Sequence, residues 1–322
     1  MTYFDLFRPL FVSTANLHVP FKMLLLSHQL KPMKKILLLI ACLAFGSASK
    51  AQDNQLLVTP QWVNDHLKDP RVVLLQVGTL EYDYNYEHIP GAQYLWPEWL
   101  APNSPKGTFN APDPKKATEL LRNYGVSNDS RVVLIFVRNQ VSVTSRMFLT
   151  LEHLGLRGKV SLLDGGLEAW KKAGYAVTRE VSAVKKGNFT ATQGNLLVDK
   201  DYVLKDLNSG AGVIVDARIQ RFYDGEPTGN PRDGHITGAK NIPFTEMVDS
   251  SNLFKSQADL QAYFTPVIPD KSKEVVAYCF IGQTASVVYL AGRILGYDMK
   301  LYDGSLEEWS RIDNLPMEVT KK

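Results

Sequence analysis

The chain has 322 residues and a formal net charge of +3, with 45% hydrophobic and 21% charged residues, which is ordinary for a soluble globular protein. A chain of this length is too long to fold around a single hydrophobic core and suits two domains. The near balance of charge argues against a nucleic-acid partner, which requires a basic stripe or a strongly basic domain, and no run of about 18 or more apolar residues predicts a membrane span.

Residues 1–51 are predicted to lie outside the folded domains. The segment from Met33 to Ala51 combines a lysine pair, an apolar stretch and a small-residue site before Gln52, which is the pattern of a secretory signal peptide. A short buried helix is the alternative. Residues 1–32 precede a better start at Met33 and are interpreted as an upstream mis-assigned start. The mature protein is therefore expected in the periplasm or outside the cell.

The chain contains two cysteines, Cys42 and Cys279. Cys42 lies within the predicted signal peptide, in a sequence that resembles a lipoprotein cleavage site, so a lipid anchor at Cys42 is the alternative to a soluble mature protein. Otherwise the mature chain keeps Cys279 alone and cannot form an internal disulfide. In an oxidising compartment a single free thiol is exposed to oxidation, so we expect it either to be buried or to take part in the protein's chemistry.

An internal repeat organises the rest of the chain. Each half contains, in the same order, an apolar triplet, a helical stretch, an apolar strand, a His-Ile-x-Gly-Ala turn, a second apolar strand and an Asp-Gly turn with a following tryptophan. These segments are residues 56–58, 62–67, 72–75, 88–92, 132–135 and 164–170, and then 196–198, 202–207, 213–215, 235–239, 275–278 and 303–309. Short apolar strands that alternate with helices predict an α/β fold, with an open, mainly parallel sheet flanked by helices in each half.

A polar segment at 181–195 separates the two halves and is predicted to be a linker. We therefore expect an upstream extension with a signal peptide at 1–51, an N-terminal domain at 52–180 and a C-terminal domain at 196–322. The long repeat indicates duplicated domains and not a solenoid of short units.

Cys279 follows the second apolar strand of the C-terminal half and precedes a helix predicted to begin at Ala285. Open α/β sheets place their ligand sites at this end of the strands. The residues in between are Phe280, Ile281, Gly282, Gln283 and Thr284. Their backbone N–H groups can form an anion-binding nest, the helix dipole adds partial positive charge, and Thr284 can cap the helix. These features favour a reactive thiolate with a lowered pKa at Cys279; the alternative is a small buried hydrophobic residue.

The two halves resemble the tandem rhodaneses, a family of thiosulfate and 3-mercaptopyruvate sulfurtransferases. The matching segments are Asp216-Ala217-Arg218, Gly234 to Pro243, the loop from Cys279 to Thr284, and Tyr302-Asp303-Gly304-Ser305 with Trp309. The resemblance covers residues 55–315, and it implies two tandem rhodanese-like domains.

The resemblance implies that Cys279 takes a sulfane sulfur from a donor, becomes a persulfide and passes the sulfur to an acceptor. The expected partners are a small-molecule donor, such as thiosulfate or 3-mercaptopyruvate, and a thiol or cyanide acceptor. No nucleic-acid partner and no cofactor are expected, and the sequence offers no metal-ligand set.

Further residues receive roles from the same resemblance. The loop residues Phe280 to Thr284 are expected to contact the substrate, although the apolar pair at its start departs from both the thiosulfate and the mercaptopyruvate patterns. Arg221 lies near the family's substrate-contacting arginine, and a solvated surface charge is the alternative. The residues expected to support the site structurally are Asp216, Arg218, His235 and Asp303.

The N-terminal half lacks the residues that carry the chemistry. Phe136 or Val137 stands where the second half has its cysteine, while Gln76 and Gly78 replace the aspartate and arginine of the Asp-Ala-Arg motif. The N-terminal domain is therefore predicted to be catalytically degenerate.

Two other functions compete with sulfur transfer. Phosphatases use a Cys-x5-Arg loop whose arginine binds phosphate in a bidentate manner, but Ala285 occupies the position of that arginine. An exported persulfide carrier or redox-sensing binding module that does not turn over uses the same cysteine and stays open as the second hypothesis.

Overall fold

The fold was obtained as a computed structural model that describes residues 55–104 and 107–320. The predicted signal peptide and Cys42 lie outside the described residues. Within the described ranges, no helix is both long and apolar enough to cross a membrane.

The first domain contains a five-stranded parallel sheet with the strand order β1-β5-β4-β2-β3. Its strands are β1 (Leu57–Val58), β2 (Val72–Val77), β3 (Gln93–Leu95), β4 (Arg131–Phe136) and β5 (Val160–Leu163). Its helices are α1 (Pro60–His66), α2 (Glu81–Tyr86), α3 (Pro114–Asn123), α4 (Val141–Leu151) and α5 (Gly166–Lys172).

The second domain repeats this architecture with the strand order β6-β11-β10-β7-β9, again entirely parallel. Its strands are β6 (Leu197–Val198), β7 (Val213–Asp216), β9 (Lys240–Asn241), β10 (Glu274–Tyr278) and β11 (Asp298–Tyr302), and β8 (His235–Ile236) forms a separate antiparallel pair with β12 (Met317–Glu318). Its helices are α6 (Lys200–Ser209), α7 (Gln220–Tyr223), α8 (Gln257–Phe264), α9 (Ala285–Ile294) and α10 (Ser305–Trp309). Equivalent strand orders in the two halves confirm the predicted duplication and the parallel α/β sheets.

Both faces of the central strands are buried, which explains their continuous apolar sequences. On β4, Val133 and Ile135 pack into one apolar cluster, while Val132 and Leu134 pack into another on the opposite face. The second of these clusters continues through helices α4 and α9 into the other domain, where it includes Cys279. The cysteine therefore lies at the edge of a core that the two domains share.

Local signals define the helix ends. The Asp199 side chain accepts a hydrogen bond from the Tyr202 N–H at 2.9 Å and so caps α6. The same helix ends at Gly210, whose φ of +64° lies in the left-handed region that glycine adopts without strain.

The segment 181–195 contains no helix or strand but is not detached. The Phe189 N–H donates to the Val126 carbonyl at 3.1 Å, and the Thr192 N–H donates to the Leu154 carbonyl at 2.9 Å. The Phe189 side chain is buried in the shared core. This segment therefore packs along the first domain as an extended strap.

Candidate functional site

Cys279 directly follows β10, and α9 begins six residues later at Ala285, as the sequence predicts. Tyr278, the last residue of β10, pairs with Asp216 at the end of β7. The Ala217 N–H donates to the Tyr278 carbonyl at 2.8 Å, so Cys279 lies beside the Asp216-Ala217-Arg218 segment. The Cys279 residue is 1% exposed. Cys279 thus lies at the carboxyl end of the parallel strands, where open α/β folds place their ligand sites.

The start of the cysteine loop (Cys279–Thr284) is held by the turn that precedes α10. The Cys279 N–H donates to Ser305 Oγ at 3.3 Å, and the Cys279 carbonyl accepts the Leu306 N–H at 3.0 Å. The Phe280 carbonyl accepts the Glu307 N–H at 2.9 Å. Ser305 has a φ of +47°, which is uncommon for a residue other than glycine. The turn thus adopts an unusual backbone conformation where it holds the start of the cysteine loop.

The remaining amides of the loop have no acceptor within the described chain. The N–H groups in question are those of Phe280, Ile281, Gly282, Gln283 and Thr284. Backbone N–H groups at a strand-to-helix junction, next to the positive end of a helix dipole, form a site for a small anion. The loop therefore has the donors that stabilise a thiolate or a persulfide anion.

Glycine is required at position 282. Its φ is +73°, and a Cβ there would lie 2.8 Å from Nη1 of Arg146 and 3.1 Å from the Asp303 carbonyl oxygen. Any other residue would combine backbone strain with a steric clash.

The expectation that Thr284 caps α9 is wrong. Thr284 precedes the helix, but its backbone is already helical, with φ −69° and ψ −27°, and its side chain makes no capping hydrogen bond. An N-cap residue normally needs an extended backbone to aim its side chain at the following N–H groups. Gln283 and Ser286 instead bond to Ser142 of the first domain, with Nε2 of Gln283 donating to Ser142 Oγ at 3.0 Å.

Asp216 and Arg218 form a buried ion pair behind the loop, with side chains 0% and 1% exposed. Arg218 Nη2 donates to Asp216 Oδ2 at 2.6 Å and to the Gly234 carbonyl at 2.7 Å. Burial lowers the pKa of Arg218, but the hydrogen bonds and charge of Asp216 outweigh this effect, so the pKa lies above its usual value. The guanidinium carbon lies 5.0 Å from the centre of the Phe280 ring, and this buried pair therefore supports the loop from below.

The side chain of Phe280 is partly buried and packs against the core of the second domain. Its ring meets Phe222 edge to face, with the ring centres 5.4 Å apart. Arg221, which precedes Phe222, has a side chain that is 59% exposed and pairs with Glu226 at 3.4 Å. The ion pair of Arg221 is thus on the surface, and the structure does not bring it into hydrogen-bond contact with the cysteine loop.

His235 and Tyr278 have structural positions. The His235 ring stacks on Tyr223, with its Nδ1 2.7 Å from the Tyr223 carbonyl oxygen and its Nε2 3.2 Å from Glu318 Oε1. Tyr278 Oη accepts the Ile236 N–H at 3.0 Å, and burial raises the pKa of Tyr278 far above its usual value. Both side chains hold the His-Ile-Thr-Gly-Ala turn against the sheet.

Asp303 connects the two domains. Its Oδ1 accepts Nη2 of Arg146 at 2.6 Å, and its Oδ2 accepts the Ala111 N–H at 2.9 Å. Sequence reasoning missed Arg146 and Ser142, because both belong to the first domain and neither lies in a recognisable motif.

Across residues 55–104 and 107–320, no group of three or more His, Cys, Asp or Glu side chains is placed to hold a metal ion.

The first domain has no nucleophile at the equivalent position. Gln76 pairs with Ile135 as Asp216 pairs with Tyr278, so Phe136 corresponds to the cysteine. The chain from Phe136 to Val141, where α4 begins, is one residue shorter than the chain from Cys279 to Ala285. Arg138 in this shorter loop has a φ of +52°, and its side chain pairs with Asp83 at 2.7 Å.

Comparison with known proteins gives matches to both domains. A family model described as Rhodanese-like domain matches residues 59–173 and 199–312. The sulfur carrier protein TtuD of Thermus thermophilus is 32% identical, over 82% of this chain and 96% of its own length. The thiosulfate sulfurtransferase of Rattus norvegicus is 33% identical, over 71% of this chain and 79% of its own length.

A solved structure agrees with the fold. The 3-mercaptopyruvate sulfotransferase SseA from Escherichia coli superposes with a TM-score of 0.69 and 28% sequence identity. The alignment covers 78% of this chain and 98% of SseA. Both domains of the chain are therefore matched, and the similarity extends over nearly the whole of that relative.

Proposed function

Because the chain belongs to the rhodanese family and is a sulfurtransferase, we propose that Cys279 carries the transferred sulfur as a persulfide. The thiolate attacks the outer sulfur of thiosulfate, a sulfur–sulfur bond forms, and sulfite leaves with the electron pair of the broken bond. With 3-mercaptopyruvate the carbon–sulfur bond breaks, and the thiol proton ends on the carbon of the pyruvate that leaves. Cyanide or a thiol then takes the outer sulfur and regenerates the Cys279 thiolate.

The observation that carries this proposal is the row of loop amides without a protein acceptor around Cys279. A thiolate, a persulfide and the charged groups of both donors are all anions, and preorganised N–H donors stabilise each of them without reorganisation. The low exposure of Cys279 restricts access to small donors and acceptors and shields the thiol from other reactions.

Turnover is expected with either donor. Purified protein mixed with excess thiosulfate or 3-mercaptopyruvate and with cyanide should release many thiocyanate molecules per Cys279. The second candidate function, a persulfide carrier, has the support of the relative named as a sulfur carrier protein. A carrier that these small donors do not reload would release no more than the sulfur it already holds, so thiocyanate release without continued turnover would contradict the enzymatic proposal.

We also propose that the protein is exported, on the basis of the signal pattern from Met33 to Ala51. The protein expressed in a bacterial host with an outer membrane should appear in the periplasm with Gln52 as its first residue. N-terminal sequencing of the fractionated protein measures this directly. A mature chain that begins at a lipid-modified Cys42 would replace the soluble form by an anchored one, and retention of Met33 in the cytoplasm would contradict export.

A further inference from the structure

Two residues of the first domain contact the cysteine loop of the second. Ser142 and Arg146 are four positions apart on α4 and therefore share one face of that helix. Ser142 Oγ accepts the side-chain N–H of Gln283 at 3.0 Å. Arg146 Nη1 donates to the Gly282 carbonyl at 3.1 Å, and its Nη2 donates to Asp303 at 2.6 Å. This face of α4 therefore forms hydrogen bonds with two successive residues of the loop, Gly282 and Gln283.

A buried charged side chain such as that of Arg146 contributes little to the stability of the interface. Its side chain is 0% exposed, whereas Asp303 is 20% exposed, and its Nε is buried without a hydrogen-bond partner among the described residues. Removing a charge from water is costly, and an apolar side chain of similar size often stabilises a buried site at least as well. The directed hydrogen bonds of Arg146 are therefore better explained by what they hold in place.

The hydrogen bond to the Gly282 carbonyl determines where the next amide points. In a planar trans peptide the carbonyl and the following N–H point in opposite directions. Because Arg146 holds the Gly282 carbonyl toward the first domain, the Gln283 N–H is turned away from that domain. This N–H belongs to the row of loop amides without a protein acceptor.

We propose that Arg146 of the first domain is a positioning residue for sulfur transfer at Cys279, because it fixes the Gly282–Gln283 peptide with its N–H toward the anionic sulfur. The inference rests on the proposed function of Cys279. It gives the first domain, which has no cysteine of its own at the equivalent position, a direct part in the reaction of the second domain.

The chain offers a matched control at the other end of α9. Arg293 is also a largely buried arginine that crosses the domain interface, where it pairs with Glu152 beside Tyr289. It lies at the C-terminal end of the helix, away from the cysteine loop at the N-terminal end. Arg146→Met and Arg293→Met therefore make the same chemical change in the same interface, but only the first affects a contact to the loop.

The test is the single-turnover rate of persulfide formation at saturating thiosulfate, measured on the full mature chain together with Tm. Wild-type protein that forms no persulfide would overturn the proposed function itself. Given that it does, Arg146→Met should lower the rate about tenfold to a hundredfold, the effect of losing a hydrogen bond that involves a charged group. Arg293→Met should lower Tm but leave the rate within about twofold of wild type.

Arg146→Lys provides a second variant if Arg146→Met does not fold. Lysine keeps the charge but lacks the fork that reaches both acceptors, so its rate should fall between those of the wild type and Arg146→Met. Equal rates for Arg146→Lys and the wild type would overturn the inference. Rates for Arg146→Met and Arg293→Met that fall together with Tm would also overturn it, because they would show a structural role alone.

Discussion

Cys279→Ser is expected to abolish sulfur transfer while the protein remains folded. Serine does not supply an anion comparable to a thiolate at neutral pH. Loss of a catalytic nucleophile reduces turnover by a factor on the order of 10⁶, which is below detection in a thiocyanate assay. The serine hydroxyl would be buried where the thiol packs in the shared core, and we expect a cost of about 1–3 kcal/mol in the free energy of unfolding.

Thiocyanate release and circular dichroism measure the two expected effects of Cys279→Ser. A matched control is Ser310→Ala, which changes a buried side chain of the same domain at the C-terminal end of α10. This control should keep turnover close to that of the wild type. Full activity in Cys279→Ser would remove the basis of the proposed mechanism.

Asp216→Ala is expected to cause the largest loss of stability among single substitutions at the site. The substitution leaves the Arg218 guanidinium buried without its counterion, and breaking a buried pair in this way costs about 3–5 kcal/mol. The free energy of unfolding from urea denaturation should fall by that amount. Turnover should fall as well, because Arg218 supports the ring of Phe280 next to the cysteine.

The pair offers its own control. The double variant Asp216→Leu with Arg218→Met removes both charges and should recover much of the lost stability, because no buried charge remains unpaired. Asp69→Asn, which breaks an exposed pair with Arg71, should leave the urea midpoint nearly unchanged. A drop for Asp216→Ala no larger than that for Asp69→Asn would contradict the description of a buried pair that supports the site.

The positions of the sheets and of the cysteine could be predicted because they depend on local signals. Continuous apolar runs such as 132–135 and 275–278 are typical of strands that are buried on both faces. The position of Cys279 follows from one such run and the helix after it. These signals do not depend on which parts of the chain come together in space.

The contacts between the domains could not be predicted for the opposite reason. Nothing in the sequence around Arg146 indicates that its side chain crosses to Gly282, since this contact depends on the packing of α4 against α9. The role given to Thr284 failed because capping depends on one backbone conformation. Arg221 had two interpretations from sequence, and its surface pair with Glu226 became visible only in three dimensions.

Peptide mass spectrometry can show directly whether the transferred sulfur is held on Cys279. Mature wild-type protein and Cys279→Ser are incubated with thiosulfate, digested under non-reducing conditions and analysed, with and without a subsequent cyanide treatment. We expect one added sulfur atom on the wild-type peptide that contains Cys279, its loss after cyanide, and no addition in the variant. Thiocyanate release with no added sulfur on that peptide, or with the sulfur on another residue, would show that Cys279 does not carry the transferred sulfur.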